Sequence, residues 1–459
     1  GAQSDYPKSK KWIMKKYCLS LNLTQLFLLL FFWMPLGLQA QILNEKERAE
    51  RYDALLNERI HNLMPELMDR HGIDMWILIS REYNEDPILR TMLPATWLNA
   101  RRRTIILYYR DAQKNIFEAL AVARYGIGQT IKSAWDIEQQ PDQWARLVEL
   151  IQERNPNKIG LNISEDYGIA DGLVKTDYEE FMGHLPEELA ARIVSAEPLA
   201  VSWVETRTDT EMKEFEALVQ VTHDIIAEAF SSKVITPGKT TSEEVVWWLR
   251  QKVRDMGLDT WFHPTVDIQR DSEALKSHIE AFSNGYEETV IQPGDLLHCD
   301  FGVSYLGLNT DCQQHAYVPF PGEKQVPEFL SQAFASGNRV QDLFTDSFGY
   351  GLTGNSILRT ALEKGRAEGL RPSIYTHPLG SFGHSAGTTL GMWDAQGGVL
   401  GSGDHPMAYK TAYAIELNNT IFVPKWNKDV RIMLEEAGYF DTHGFRYVNG
   451  RQESIRLVR

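Results

Sequence analysis

The sequence predicts two domains in series, a smaller α/β domain over residues 41–205 and a larger α+β domain over 206–459. Three observations carry this expectation. Between 42 and 205, short apolar runs alternate with stretches of helical period, the pattern of strands covered by helices. Beyond 206, long amphipathic helices are interspersed with apolar runs joined by short turns, the pattern of antiparallel hairpins. At about 100–200 residues per domain, a chain of 459 residues also holds two domains once its first 40 are set aside.

Those first 40 residues read as a leader. From Met14 a basic start precedes an apolar run over 26–34 and small residues before Ala40, the layout of a secretory signal peptide over 14–40. The run is too short to span a bilayer comfortably. The mature chain is therefore expected in the periplasm or secreted, with no stable membrane span. Residues 1–13 show no signal character, and Cys18 is not at the cleavage position, which argues against a lipoprotein.

The next elements follow in order. Tyr52, Leu55, Leu56, Ile60, Leu63, Leu67 and Met68 recur at helical spacing over 45–71, and Gly72 suits the end of that helix. Strands are expected over 75–79, 104–109, 119–123 and 158–163, and helices over 142–154 and 177–181. No catalytic constellation falls among them. Residues 205–210 form the boundary and lead into a helix with the stripe Met212, Phe215, Leu218, Val219, Ile225, Ile226 and Phe230. Thr241-Ser-Glu-Glu244 is a capping box for the next helix, which ends near Gly257. Helices follow over 329–344 and 356–368.

Two hairpins carry the chemistry. In the first, an apolar strand over 296–303 turns at 304–307 and returns over 308–318. Centring it between Tyr305 and Leu306 places Asp300 opposite Asp311, and Cys299 opposite Cys312 on the reverse face. Directly opposed residues have Cβ atoms about 4.5–5.5 Å apart, so two carboxylates there call for a cation between them. In the second hairpin, strands over 411–423 and 430–440 oppose Glu416 to Glu435, while Glu436 falls on the other face. Four inward carboxylates cannot all ionise at low cost without cations. Between the hairpins, His377-Pro-Leu-Gly-Ser-Phe-Gly-His384 offers two imidazoles. For the cysteines, a cross-strand disulfide and two buried thiols are the alternatives, with the thiols preferred.

The order Asp300, Asp311, His377, Glu416, Glu435 resembles the pita-bread (M24) metallopeptidases, which include methionine aminopeptidase, aminopeptidase P and prolidase. The resemblance covers about 206–459 well. A weaker one links the preceding domain to the small N-terminal domain of creatinase and aminopeptidase P. It implies an α+β pita-bread catalytic domain behind a creatinase-like α/β domain. It also implies two divalent metal ions bridged by water or hydroxide, with Asp300 on one, His377 and Glu416 on the other, and Asp311 and Glu435 bridging. Oxygen-rich ligation with one imidazole favours Mn²⁺, with Co²⁺, Fe²⁺ and Zn²⁺ as alternatives. His384 is the expected catalytic partner of the substrate carbonyl. The implied activity is removal of the N-terminal residue from peptides, with a preference for proline in second place, and relatives are often homodimers.

The chain also departs from that family's pattern. Ser373 and Met433 stand where proline-specific relatives carry histidine and arginine, and Gln313 replaces the usual threonine two residues after the second aspartate. No histidine precedes Asp300 at the family distance, and His263 and His278 are the nearest upstream. The formal net charge of −15 argues against nucleic-acid binding and against anionic membranes. Three alternatives stand beside the peptidase: a non-catalytic peptide-binding module of the same fold, metal-free creatinase-type hydrolysis, and a serine hydrolase using Ser385. The last rests on Gly383-His-Ser-Ala-Gly387, which fits G-x-S-x-G but lacks the strand before and the helix after.

Overall fold

The structure is a computed structural model that describes residues 42–282 and 288–459. The signal-like segment at 14–40 lies outside the described residues. The expected helix over 45–71 is present in three pieces: Glu45–Glu58, a π turn Arg59–Leu63, and Met64–His71. Asn44 caps its start, accepting from the Glu47 amide, and Gly72 at φ +63 ends it. The π turn was not foreseen, because it breaks no side-chain period. Arg59 lies in it, only 6% exposed. Its guanidinium donates to Glu211 at 2.6 Å and to the Thr206 carbonyl at 2.8 Å. Arg207 holds the other oxygen of Glu211 at 2.9 Å.

Six strands form the first sheet: β1 (Met75–Arg81), β2 (Arg103–Asp111), β3 (Ile116–Val122), β4 (Lys132–Ser133), β5 (Ile159–Leu161) and β6 (Ile193–Ser195). Their order is β4-β3-β2-β1-β5-β6. The central strand β1 is apolar on both faces because both are covered. Met75, Ile77 and Ile79 pack with Trp144, Leu147 and Phe181 of the helices Gln143–Arg154 and Lys175–His184. Trp76 and Leu78 pack on the other side with Ile60, Leu63 and Trp203.

The helices Asp209–Ala229 and Ser242–Asp255 both begin with capping boxes, Thr208 with Glu211 and Thr241 with Glu244. The second sheet is built from β7 (Thr265–Gln269), β8 (Leu296–Phe301), β11 (Cys312–Tyr317), β12 (Pro372–Ile374), β13 (His377–Pro378), β14 (Thr411–Val423), β15 (Lys428–Asp441), β16 (Gly444–Tyr447) and β17 (Arg456–Leu457). β9 (Ser304–Tyr305) and β10 (Leu308–Asn309) extend the first hairpin as a separate pair. The main path runs β12-β14-β15-β11-β8-β7. Tyr413, Ile415 and Leu417 of β14, with Ile432 and Leu434 of β15, pack under the helices Glu328–Thr345 and Gly354–Ala367. The opposite face of the same strands carries Glu416 and Glu435. Among the described residues no helix is long and apolar enough to cross a membrane.

The first hairpin corrects the expected register. Tyr305 pairs with Leu308 and Ser304 with Asn309, so the turn is centred between Leu306 and Gly307. Both lie in the left-handed region, at φ +55 and +72, as a two-residue type I′ turn requires. Asp300 therefore faces Gln313, not Asp311. Cys299 faces Gln314 and Cys312 faces Phe301, and both cysteines are buried free thiols. The centre moves by one residue, which moves each partner by two and keeps every side chain on its expected face.

Candidate metal centre

Backbone pairing sets the site. Thr265 faces Asp300, Asp300 faces Gln313, Gln313 faces Glu435 and Glu435 faces Glu416. These residues form one polar row across β7, β8, β11, β15 and β14, with about 4.8 Å between neighbouring strands. Gly302 lets the chain turn beside Asp300, since a Cβ there would lie 2.0 Å from the Thr310 carbonyl oxygen.

His377 approaches from β13, which pairs with β14. Its Nδ1 donates to the Pro378 carbonyl at 2.9 Å, which leaves Nε2 facing the carboxylates. Nε2 lies 3.4 Å from Asp311 Oδ2, 3.5 Å from Glu435 Oε1 and 3.9 Å from Glu416 Oε2. His377 Nε2, Glu435 Oε1 and one oxygen each of Asp300 and Asp311 are buried without a hydrogen-bond partner. Such atoms are costly unless something positive joins them.

The electrostatics agree. Burial, followed by the charges of its neighbours, pushes Asp300, Asp311 and Glu416 well above the usual carboxylate range, and Glu435 to about 8. Burial opposes a charge on His377, yet Asp311 and Glu435 pull it well above the usual imidazole range. At this centre three sets of donor atoms each lie within 4.8 Å: Asp300, Asp311 and Glu435; His377, Glu416 and Glu435; and Asp311, His377 and His384. Oxygen-rich ligation with imidazole, together with these partnerless buried atoms, fits divalent cations.

His384 stands with its ring 4.7 Å from that of His377 and 5.1 Å from that of Trp261, edge-on to both. Burial, then the charge of His377, lowers its pKa to about 4, so it is neutral at pH 7. Trp261 is fixed by its indole N–H donating to the Thr310 carbonyl at 2.8 Å. A cavity of about 690 Å³ opens over the centre, walled by Trp261, Phe262, Phe282, Tyr375, Met392 and Trp393.

Sequence reasoning missed His298 and named Gln313 without its partners. Gln313 is not peripheral: its amide donates to Glu416 Oε1 and Glu435 Oε2, each at 2.9 Å. Its oxygen meets His298 Nε2 at 2.8 Å. His278 reaches the cavity wall, with ring centroids 4.5 Å from Phe282 and 4.9 Å from Trp393. His263 instead contacts Arg250 and Trp247. Met433 is buried, its backbone N–H donating to His315 Nε2, and Ser373 pairs with Asn418. Glu436, on the reverse face, accepts from His223 Nε2 at 2.6 Å and from Gln314 at 2.9 Å. Ser385 lines the cavity, but its hydroxyl has no hydrogen-bond partner and no helix follows it as a nucleophile elbow requires.

Solved structures share this architecture across most of their length. The X-Pro aminopeptidase of Thermotoga maritima MSB8 aligns with a TM-score of 0.59 at 14% identity, over 85% of this chain and 99% of that one. Aminopeptidase P of Escherichia coli aligns at 0.56 and 11% identity, over 91% and 97%. An Xaa-Pro dipeptidase from Bacillus anthracis aligns at 0.51 and 18%, over 90% and 100%. No curated protein matches the chain by sequence. The fold is thus the pita-bread α+β fold preceded by an N-terminal α/β domain. Residues 213–436, just under half of the chain, match the model of metallopeptidase family M24, Peptidase_M24.

Proposed function

We propose that the protein is a dinuclear metal-dependent exopeptidase that removes the N-terminal residue from short peptides, with proline preferred in second place. The observation that carries it is the group of four carboxylates beside His377, Asp311 and Glu435 buried and Asp300 and Glu416 half-buried, in which atoms of Asp300, Asp311, Glu435 and His377 lack hydrogen-bond partners beneath an aromatic-walled cavity. Asp300, Asp311 and Glu435 would hold one cation, and Asp311, His377, Glu416 and Glu435 the other, with Mn²⁺ favoured. Bound cations of this kind supply an acidified water as nucleophile and a Lewis acid for the scissile carbonyl. The chain's own groups do the rest. The Pro378 carbonyl fixes the His377 tautomer. Neutral His384, held edge-on by Trp261, offers a hydrogen bond to the substrate carbonyl and to the tetrahedral oxygen that replaces it. The aromatic walls exclude water and receive the side chains that flank the cleaved bond. The signal-like segment at 14–40 supports action in the periplasm or the medium.

Cleavage of a mixed peptide library by the Mn²⁺-loaded mature chain, read by mass spectrometry, tests this. Loss of single N-terminal residues ahead of proline is expected. Loss ahead of other residues would end the proline preference and keep the exopeptidase. No cleavage with any of the four metals would favour a peptide-binding module of the same fold.

A further inference from the structure

The reverse face of the second sheet holds another group of metal-ligating side chains, chemically unlike the first. The pairing of Gln313 with Glu435 sets Cys312 opposite Glu436 on that face, since side chains alternate along each strand. His223 reaches both from the helix Asp209–Ala229. Its Nε2 lies 2.6 Å from Glu436 Oε2, and one donor atom from each of the three residues lies within 4.8 Å of the others. Cys312 and Glu436 are buried, and His223 is half-buried. The other oxygen of Glu436 accepts from the Gln314 side-chain amide at 2.9 Å and from the Gln452 backbone N–H at 3.3 Å, which keeps Oε2 aimed at the imidazole. The ring's outer nitrogen, Nδ1, lies 3.4 Å from the Asn449 side-chain amide. Thiolate, imidazole and carboxylate together are donors for a zinc-type cation, whereas the face that carries Glu416 and Glu435 offers no sulfur. Bonds of about 2.0–2.3 Å to a tetrahedral ion space its donors roughly 3.3–3.7 Å apart, so the group closes on one with the contact between His223 and Glu436 opening by about 1 Å. The charge also balances. Burial opposes a charge on His223, and the Glu436 carboxylate more than restores it, raising the imidazole pKa. An entering divalent ion would release to water the proton between His223 and Glu436 and the Cys312 thiol proton. Two positive charges leave as two arrive, and the buried net charge is unchanged.

We propose that His223, Cys312 and Glu436 form a separate site for one thiophilic divalent cation of the zinc class, with water in the fourth position. The ion clamps the helix Asp209–Ala229 to β11 and β15. The site is independent of the peptidase reading above and stands or falls without it.

Titration of the protein with Cd²⁺ in an excess of Mn²⁺ tests this, in a Cys18→Ser background so that only Cys299 and Cys312 remain. The readout is the ultraviolet sulfur-to-cadmium charge-transfer band, which a centre without sulfur does not produce. One equivalent of Cd²⁺ is expected to raise the band and the Tm together, and Zn²⁺ to displace it. The band should vanish in Cys312→Ser and persist in Cys299→Ser. His223→Gln changes a half-buried side chain and keeps the test decisive if Cys312→Ser disturbs folding. It should weaken Cd²⁺ binding at least about tenfold, since even the outer partners of metal ligands are worth about 10–100-fold. No band before these substitutions, a band that follows Cys299, a band that Zn²⁺ fails to displace, or binding unmoved by His223→Gln would overturn the site and leave the peptidase reading standing.

Discussion

At the scale of the residue, the centre separates holding a cation from using it. Asp311 contributes to two of the three donor sets and lies 3.4 Å from His377 Nε2. Asp311→Ala is expected to lose bound metal and turnover together, checked by elemental analysis alongside a peptidase assay. Activity at the wild-type level in that variant would sink the mechanism. His384 should behave differently. Its removal in His384→Ala leaves the carboxylate ring and His377 in place. Metal content should hold while kcat falls by about 10²–10³-fold, the usual loss for one donor to a tetrahedral oxygen. Loss of metal in that variant would make His384 a ligand, as its place in the third donor set allows. Both histidines and all four carboxylates are named by the sequence, because charged residues in otherwise apolar strands are informative on their own. Gln313 is named only as a departure from the usual threonine, and His298 is not named. An amide and a buried imidazole are ordinary strand residues until their partners are known.

At the scale of the element, register decides what meets what. The second hairpin was legible in full: Glu416 faces Glu435, and Glu436 falls on the reverse face. The first was legible by face only. Its turn, drawn from Ser304 to Gly307, set the centre one residue too early, because Leu306 adopts a positive φ, which a bulky residue rarely does. The π turn at Arg59–Leu63 and the buried triad it creates were not legible either, since arginine and glutamate in adjoining helices usually face water. That triad ties the first helix to the helix Asp209–Ala229 through Arg59, Glu211 and Arg207. Glu211→Leu strands two buried guanidinium groups and is expected to cost about 3–5 kcal/mol, as for other broken buried pairs. Denaturant unfolding measures it. A change below about 1 kcal/mol would mean that the arginines find other partners, as exposed pairs do.

At the scale of the whole molecule, folding, protons and metal are linked. Glu435 has a folded pKa raised from 4.5 to about 8, and Asp300, Asp311 and Glu416 are raised as well. The folded metal-free protein thus binds more protons than the unfolded chain, so its stability falls as pH rises. For Glu435 the loss begins near pH 4.5 and is complete above about pH 8. Thermal unfolding in a chelator should show Tm decreasing across that range. Mn²⁺ should reverse the trend, because the carboxylates that resist ionising are then stabilised as anions. Saturation at a hundredfold excess over Kd adds about 2.7 kcal/mol. A Tm that rises with pH in the chelated protein would contradict the shared burial of these groups. The two-sheet architecture itself was plain in the sequence, because alternation of strands with helices and pairs of long apolar runs survive without any knowledge of tertiary contacts.

The polar row across five strands has one more consequence. Asp300, Gln313, Glu435 and Glu416 stand abreast only when four strands share one alignment, and a slip of one residue in any of them turns its side chain to the opposite face. A misaligned sheet can bury nearly the same apolar area, yet it cannot assemble the donors. A bound ion would therefore act as a checksum on the fold: it would bind only the correctly threaded copy, and by binding draw the misaligned population toward it.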